Sequence, residues 1–432
     1  MAKKTGATPP DEPSPEEPKR GGRPAKRPGR PADMETFFEN LMGPMETWPD
    51  PDAEEEFDAD PVGDMLELFA ESGAVLVSPS ILQPADPFLD TVGEDIRRRL
   101  FMTEGPSGEA MCLRPEFTIP VCLDYLRSPQ AGRPEALAYM GPVFRQRTGE
   151  VAEFPQAGVE RFGDADAIRT DADLLKLAVD AVETFGLVEG EIRAGDEGLF
   201  AAVIDSFDLT LPARRRLRAA FGDPERMERT IAALVDRDQS DLSAQAGFLA
   251  AIANGAGSAR AVVEDLLAIA GIAAVGTRSA AEIAARFLEK AAAGGGLGED
   301  KARVLRAFLA IEGTPSEAEA ALASFAAREG IALDGALDRF RARNAAIRET
   351  GLDLDAIRFA TRFGRNPDYY TGFMFEIFDP DRGDGKPIAG GGRYDGLLQR
   401  LGAAEPIPAA GFSIWLDRLL SDVDGLITEF GP

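Results

Sequence analysis

The chain has 432 residues, 44% hydrophobic and 28% charged, with 47 basic against 74 acidic side chains and a formal net charge of −27. That length provides for two or three domains with a real apolar core, and the acidity makes the body of the chain repel phosphate backbones, which argues against a nucleic-acid partner. No histidine occurs, which excludes imidazole general bases, Ser-His-Asp and Cys-His nucleophiles and HExxH metal sites.

Compositional drift is one account of that absence; the other is a protein that the cell needs when histidine is scarce. The two cysteines, Cys112 and Cys122, lack CxxC spacing and indicate neither a zinc site nor a disulfide framework, so a reducing cytoplasm is expected. No apolar stretch reaches the length of a membrane span.

In chain order, residues 1–31 carry eight of the 31 prolines and no apolar core, which reads as a solvated tail and not as a secretory signal. Its two Gly-Arg-Pro steps, at Gly22 and Gly29, resemble minor-groove hooks, but a disordered tail is the default on so acidic a protein. The acidic run 51–60 closes an N-terminal extension spanning 1–60. From Met65, MLELFAESGAVLV predicts a helix closed by Gly73 and a short strand ending at Pro79. AMCLRPEFTIPVCLDYL predicts a buried strand, a turn with Thr118 as N-cap, and a helix that tolerates Pro120 in its first turn. ALAYMGPVFRQR and EFPQAGVERFG predict a hairpin joined by TGEVA. TDADLLKLAVDAVETFGL predicts a helix with a capping-box-like Thr170–Asp173 pair and an apolar face of Leu174, Leu175, Ala178, Val179, Val182 and Phe185.

Between 196 and 350 the composition turns to Ala, Leu, Arg and Glu with helical periodicity, broken by NGAG at 254–257 and GGGLG at 294–298. An all-helical insertion is expected there, separating two parts of a mixed core, 61–195 and 351–432. DYYTGFMFEIF then reads as a strand, KPIAGGGRYDGLL as strand, glycine turn and helix, and AAGFSIWLDRLL as strand to helix. The fold class is α+β.

Four segments place polar side chains where a core would be apolar. Glu116 and Thr118 fall on one strand face by their spacing of two; Arg145 lies on one hairpin strand, with Gln156, Gly158 and Glu160 on one face of the other, the glycine leaving room above the sheet. Arg365, Tyr369 and Tyr370 stand at the start of a strand, and Gly390 to Asp395 form a glycine-rich run. Taken singly, each reads as a surface pair or a turn.

Their order and spacing resemble the catalytic core of class II aminoacyl-tRNA synthetases, and within them the histidyl-tRNA synthetases, from about Met65 to Leu420. LRPEFT is similar to that family's LRPEGT, VFRQR with EFPQAGVE to its second class motif, RNPDYYTG to its RGLDYYTG, and AGGGRYDGLL is nearly unchanged. The resemblance implies an antiparallel sheet flanked by helices. There are departures. No room for an anticodon-binding domain follows GFSIWLDRLL, Trp415 stands where the synthetases have a small glycine lining the ATP pocket, Asp417 replaces a Glu, and the loop between Arg145 and Gln156 is shorter.

That combination resembles the synthetase-like regulatory subunits of ATP phosphoribosyltransferase. The resemblance implies a non-catalytic subunit that pairs with a short-form catalytic subunit, forms a homodimer within a hetero-oligomer, and senses L-histidine for feedback inhibition of the first step of histidine biosynthesis. It implies no cofactor, metal or catalytic residue. The histidine-binding set it implies is Glu116, Thr118, Arg145, Gln156, Glu160, Arg365, Tyr369, Tyr370 and Tyr394. Glu116, Thr118, Gln156 and Arg365 surround the α-amino and α-carboxylate groups, Glu160 and Tyr370 hold the ring nitrogens, and Tyr369 and Tyr394 form walls. Arg145 and Arg418, which hold ATP in a synthetase, are here either remnants or anion contacts. The competing readings are a truncated histidyl-tRNA synthetase, or a related aminoacylating enzyme, and a DNA-binding protein using the basic tail.

Overall fold

A computed structural model describes residues 60–91, 97–147, 149–236, 297–365 and 369–420. The basic tail, the acidic run through residue 59, NGAG, most of GGGLG, and Asn366 and Pro367 lie outside the described residues.

Helix α1 (Pro61–Glu71) begins four residues before the expected Met65. The Asp60 side chain accepts a hydrogen bond from Gly63 N (2.9 Å), and Pro61 occupies the first turn, where its missing N–H is harmless. Strand β1 (Val75–Leu76) follows. Then β2 (Leu82–Pro84), α2 (Asp86–Thr91), β3 (Met102–Glu104) and β4 (Ala110–Leu113) build a small sheet in the order β2-β4-β3. The buried strand expected at β4 is buried only at Cys112, because this sheet covers its core with one face only.

Helix α3 (Thr118–Arg127) corrects two expectations. Thr118 is its first residue and not its N-cap, and Glu116 lies in the turn before it and not on a shared strand face. The Glu116 carboxylate accepts from Thr118 N (2.7 Å) and Ile119 N (3.0 Å). A carboxylate at the positive helix end does the capping better than a hydroxyl, which leaves the Thr118 hydroxyl free for other work. Pro120 sits in the first turn as expected.

Strands β5 (Glu135–Phe144) and β6 (Glu153–Phe162) form the expected hairpin, with Leu137 opposite Glu160, Tyr139 opposite Gly158 and Gly141 opposite Gln156. Arg145 falls one residue past the strand. Helix α4 (Ala167–Glu183) is capped by Asp166, which accepts from Arg169 N (3.0 Å). The Thr170–Asp173 capping pair is therefore wrong: Thr170 lies inside the helix and donates back to Asp166 O (2.8 Å). Its buried face keeps Leu174, Leu175, Ala178 and Val182 but takes Leu177 and Ala181 in place of Val179 and Phe185, and it adds Asp171.

Strand β7 (Glu191–Asp196) ends where its last residue caps α5 (Glu197–Ser206) through Gly198 N. Helix α6 (Leu211–Arg218), a helical run over 224–236, α7 (Glu299–Leu309), α8 (Pro315–Glu329) and α9 (Asp334–Glu349) follow the helical expectation among the described residues. The exception is the two-residue strand β8 (Glu312–Gly313). Next come β9 (Ile357–Ala360), β10 (Phe373–Phe378), β11 (Pro387–Arg393), α10 (Leu397–Arg400) and β12 (Ala409–Trp415). The expected glycine turn is absent: Gly390, Gly391 and Gly392 lie inside β11, between β10 and β12. Arg418 sits in a single 3-10 turn, Leu416–Arg418, in place of the expected helix.

The large sheet runs β1-β5-β6-β12-β11-β10-β7-β9-β8. Its centre is antiparallel; β1 with β5 and β7 with β9 are parallel pairs, so the sheet is mixed. Helix α4 packs across β10, β11 and β12 on one face, with α1 and α9 against α4. On the other face α3 and α10 close a core of Phe117, Tyr125, Phe154, Phe162, Tyr394 and Trp415.

Candidate functional site

Side chains alternate across a strand. The register Glu160–Gly411, Gly158–Ser413 and Gln156–Trp415 between β6 and β12 therefore puts all six positions on one face. Gly390 of β11 pairs with Ser413 and with Glu376 of β10, which extends the same floor. Glycines make it deep. A Cβ at Gly411 would overlap the Glu160 carboxylate, and one at Gly390 would fall 2.7 Å from Cζ of Arg365. Only glycine leaves the volume those side chains occupy.

Over this floor, Glu116, Thr118, Arg145, Gln156, Arg365, Tyr369, Tyr370 and Tyr394 line one cavity of about 50 Å³, joined by Ser413 and Trp415. Of the nine residues expected from the sequence, eight reach its wall. The ninth, Glu160, lies beneath it, 1% exposed. Its Oε1 accepts from the Thr118 hydroxyl (2.7 Å) and the Tyr139 hydroxyl (3.3 Å), and its Oε2 accepts from the Tyr394 hydroxyl. The space expected above Gly158 is filled by that Tyr139 ring, whose hydroxyl also bonds Ser413 Oγ (2.8 Å).

The electrostatics follow from burial. Desolvation pushes the Glu160 carboxyl up to about 8, against the pull of the Tyr394 and Thr118 hydroxyls, and the nearby Glu116 carboxylate adds to the rise. Burial also raises Glu116, opposed by its two backbone N–H groups and by Arg145. Tyr139, Tyr369 and Tyr394 are held well above the ordinary phenol range by burial, so their hydroxyls remain donors. Burial lowers Arg145 to about 10, with Glu116 resisting, and its Nε donates to Pro115 O (2.6 Å). Arg365 donates from Nε to Glu376 (2.9 Å) and from Nη1 to the Tyr370 hydroxyl (2.9 Å). Tyr369 stands edge-on to Tyr394 with ring centroids 5.6 Å apart, an arrangement suited to a flat ring.

Beside the cavity, Arg147 pairs with Asp417 (3.1 Å) and lies 3.3 Å from the Phe154 centroid. Arg418 lies 4.6 Å from the Trp415 centroid and donates to Pro387 O. Sequence reasoning missed Tyr139, Ser413 and Glu376. The first two were legible: Tyr139 faces Gly158 across any in-register hairpin, and Ser413 is two residues from Trp415 on the same strand.

Comparison with known proteins agrees with this architecture. The histidyl-tRNA synthetase family profile matches residues 52–287 and 262–419. An ATP phosphoribosyltransferase regulatory subunit of Agrobacterium fabrum is 42% identical over 367 residues, covering 83% of this chain and 95% of its own length. One from a Chelativorans species is 44% identical over 362 residues, 82% and 95% of the two chains. Among solved structures, one titled as an ATP phosphoribosyltransferase regulatory subunit/histidyl-tRNA synthetase from Bacillus halodurans superposes with a TM-score of 0.55 at 22% identity, over 83% of this chain and 77% of that one. A Nostoc histidyl-tRNA synthetase gives 0.55 at 16%, over 85% and 72%, a likeness of fold. The relatives' names bear out the regulatory, non-catalytic reading over the synthetase one. This chain belongs to the family of ATP phosphoribosyltransferase regulatory subunits, built on the histidyl-tRNA synthetase fold.

Proposed function

We propose that the cavity on the β6–β12–β11 floor binds L-histidine, and that the chain carries this signal as feedback inhibition to a short-form catalytic subunit of ATP phosphoribosyltransferase. The observation that carries the reading is the convergence of eight of the nine expected side chains on one cavity, with Glu160 under it. Neutral imidazole offers one donor and one acceptor. The Tyr370 hydroxyl and the Thr118–Glu160–Tyr394 hydroxyl cluster supply both kinds of partner, between the walls of Tyr369 and Tyr394. Arg365, Gln156, Glu116 and Thr118 surround the amino-acid head, with Arg145 at its edge. Calorimetry of L-histidine on the purified chain tests this. Saturable 1:1 binding is expected, and heat no larger than that of L-lysine sinks it.

The enzyme reading has a separate test. Trp415, with Arg418 stacked on it and Arg147 tied to Asp417, fills the space beside the amino-acid pocket. Histidine-dependent exchange of pyrophosphate into ATP should stay at the no-enzyme blank. Assembly through a homodimer is supported by the β1 edge. Among the described residues that strand pairs only with β5; Val75 on it is 58% exposed, and Ile81, Leu82 and Met102, at and before the small β2-β4-β3 sheet, are between 42% and 50% exposed. Sedimentation at micromolar concentration should give a dimer. A cytoplasmic setting fits the two free, buried thiols Cys112 and Cys122; among the described residues no helix is long and apolar enough to cross a membrane.

A further inference from the structure

Two of the residues that line the cavity each carry a buried polar atom with no hydrogen-bond partner within the protein: Oε1 of Gln156 and the indole Nε1–H of Trp415. Gln156 is 1% exposed and Trp415 7%, so bulk water does not satisfy either. They face each other directly across β6 and β12, which fixes both on the same side of the sheet. Leaving a donor and an acceptor unmet at adjacent buried positions is unfavourable. A phenylalanine and a leucine would fill similar space without that penalty.

An indole N–H donates and never accepts, so its complement is an oxygen acceptor brought by whatever enters the cavity. Arg365 is also a pure donor, and its guanidinium lies 5.7 Å from the Trp415 ring centroid on the same cavity wall. An unmet indole N–H and a guanidinium, carried by two residues that line one cavity, are donors suited to an oxyanion. Gln156 beside them offers an acceptor, which suits a neighbouring ammonium. We propose that Trp415 is a specificity-determining residue: its indole N–H, together with Arg365, holds the α-carboxylate of the bound amino acid. The inference rests on the pocket being a histidine site. It gives Trp415, which the sequence presents only as bulk in a nucleotide space, a direct part in reading the ligand's head.

The test compares two probes on the full chain, L-histidine and L-histidinol, which keeps the ring and the amine but has a hydroxymethyl group for the carboxylate. Trp415→Phe removes the N–H and retains an aromatic ring. It should weaken L-histidine by roughly tenfold, the loss expected for one hydrogen bond to a charged group, and leave L-histidinol within about twofold. Equal losses for both probes make Trp415 mere packing and overturn the proposal, as does no loss for either. A wild-type chain that binds neither probe overturns the pocket reading and this inference with it, an outcome distinct from the others. The second measurement leaves residue 415 intact. The chain has two tryptophans, so Trp48→Phe leaves one indole N–H resonance. L-histidine should move it downfield and L-histidinol should not. A resonance unmoved at saturating L-histidine removes Trp415 from the subsite.

Discussion

The two faces of the central sheet both bury charge, and they treat it in opposite ways. On the helix face, Arg393 of β11 meets Asp171 of α4 (2.9 Å), and Arg343 of α9 bonds Asp196 and lies 3.7 Å from the same Asp171. Each charge there has an opposite charge. On the pocket face, two carboxylates, Glu116 and Glu160, are buried together with hydroxyls and backbone N–H groups as their main partners, and Gln156 and Trp415 keep unmet polar atoms. Matched charges lock elements together, whereas buried carboxylates held mainly by neutral partners around a cavity leave a wall that can take a ligand's charge.

Breaking the matched face should give the largest effect. Arg343→Ala strands Asp196 and weakens the neutralisation of Asp171, and it is expected to destabilise the fold by about 3 to 5 kcal/mol. Urea unfolding measures this, and L-histidine affinity of the molecules that remain folded should be unchanged. A loss of affinity with unaltered stability would reverse the roles assigned to the two faces.

The pocket face should reveal itself through pH. Glu160 has its carboxyl pushed up to about 8 by burial. Between the ordinary glutamate value and 8, the folded state therefore holds a proton that the unfolded chain has released, so stability falls as pH rises and the whole penalty is present above 8. Asp171, raised by burial to about 6 despite Arg393 and Arg343, and Glu197, raised by burial to about 7, act in the same direction. Glu160→Gln should flatten the loss of stability between pH 5 and pH 8 by about 3 to 4 kcal/mol. Unfolding curves across that range that keep the wild-type slope would mean that Glu160 is ionised in the fold.

Smaller effects concern the ligand. Glu160→Ala removes the buried partner under the ring site and should weaken L-histidine by about 1 to 3 kcal/mol, roughly five- to hundredfold. The concentration of histidine needed for inhibition of the reconstituted complex should rise in proportion, with the uninhibited rate near normal. If Glu160 only anchors Thr118, Tyr139 and Tyr394, stability and basal rate will drop together while affinity holds. Tyr370→Phe removes one neutral hydroxyl partner and should cost about 0.5 to 1.5 kcal/mol of L-histidine affinity by calorimetry. An effect larger than that of Glu160→Ala would invert the order of importance within the pocket.

What the residues determine on their own is considerable. The alternation of β5 and β6, the helical face of α4, and the four polar segments that name the family and the pocket are all local patterns, repeated at a spacing of two or of about four. They are legible because strand and helix periodicities are properties of the chain itself. The tertiary structure alone decided the rest. Whether Gly390–Gly392 make a turn or a strand interior depends on β10 and β12 closing on either side. Whether Thr118 or Glu116 caps α3 depends on Glu160, 42 residues away, claiming the Thr118 hydroxyl. That Asp171 is a buried partner of Arg393, and that the Trp415 N–H is left without one, are facts of register between strands and helices distant in sequence. A local pattern states which face a side chain takes; only the packed neighbours settle whether its polar atoms are satisfied.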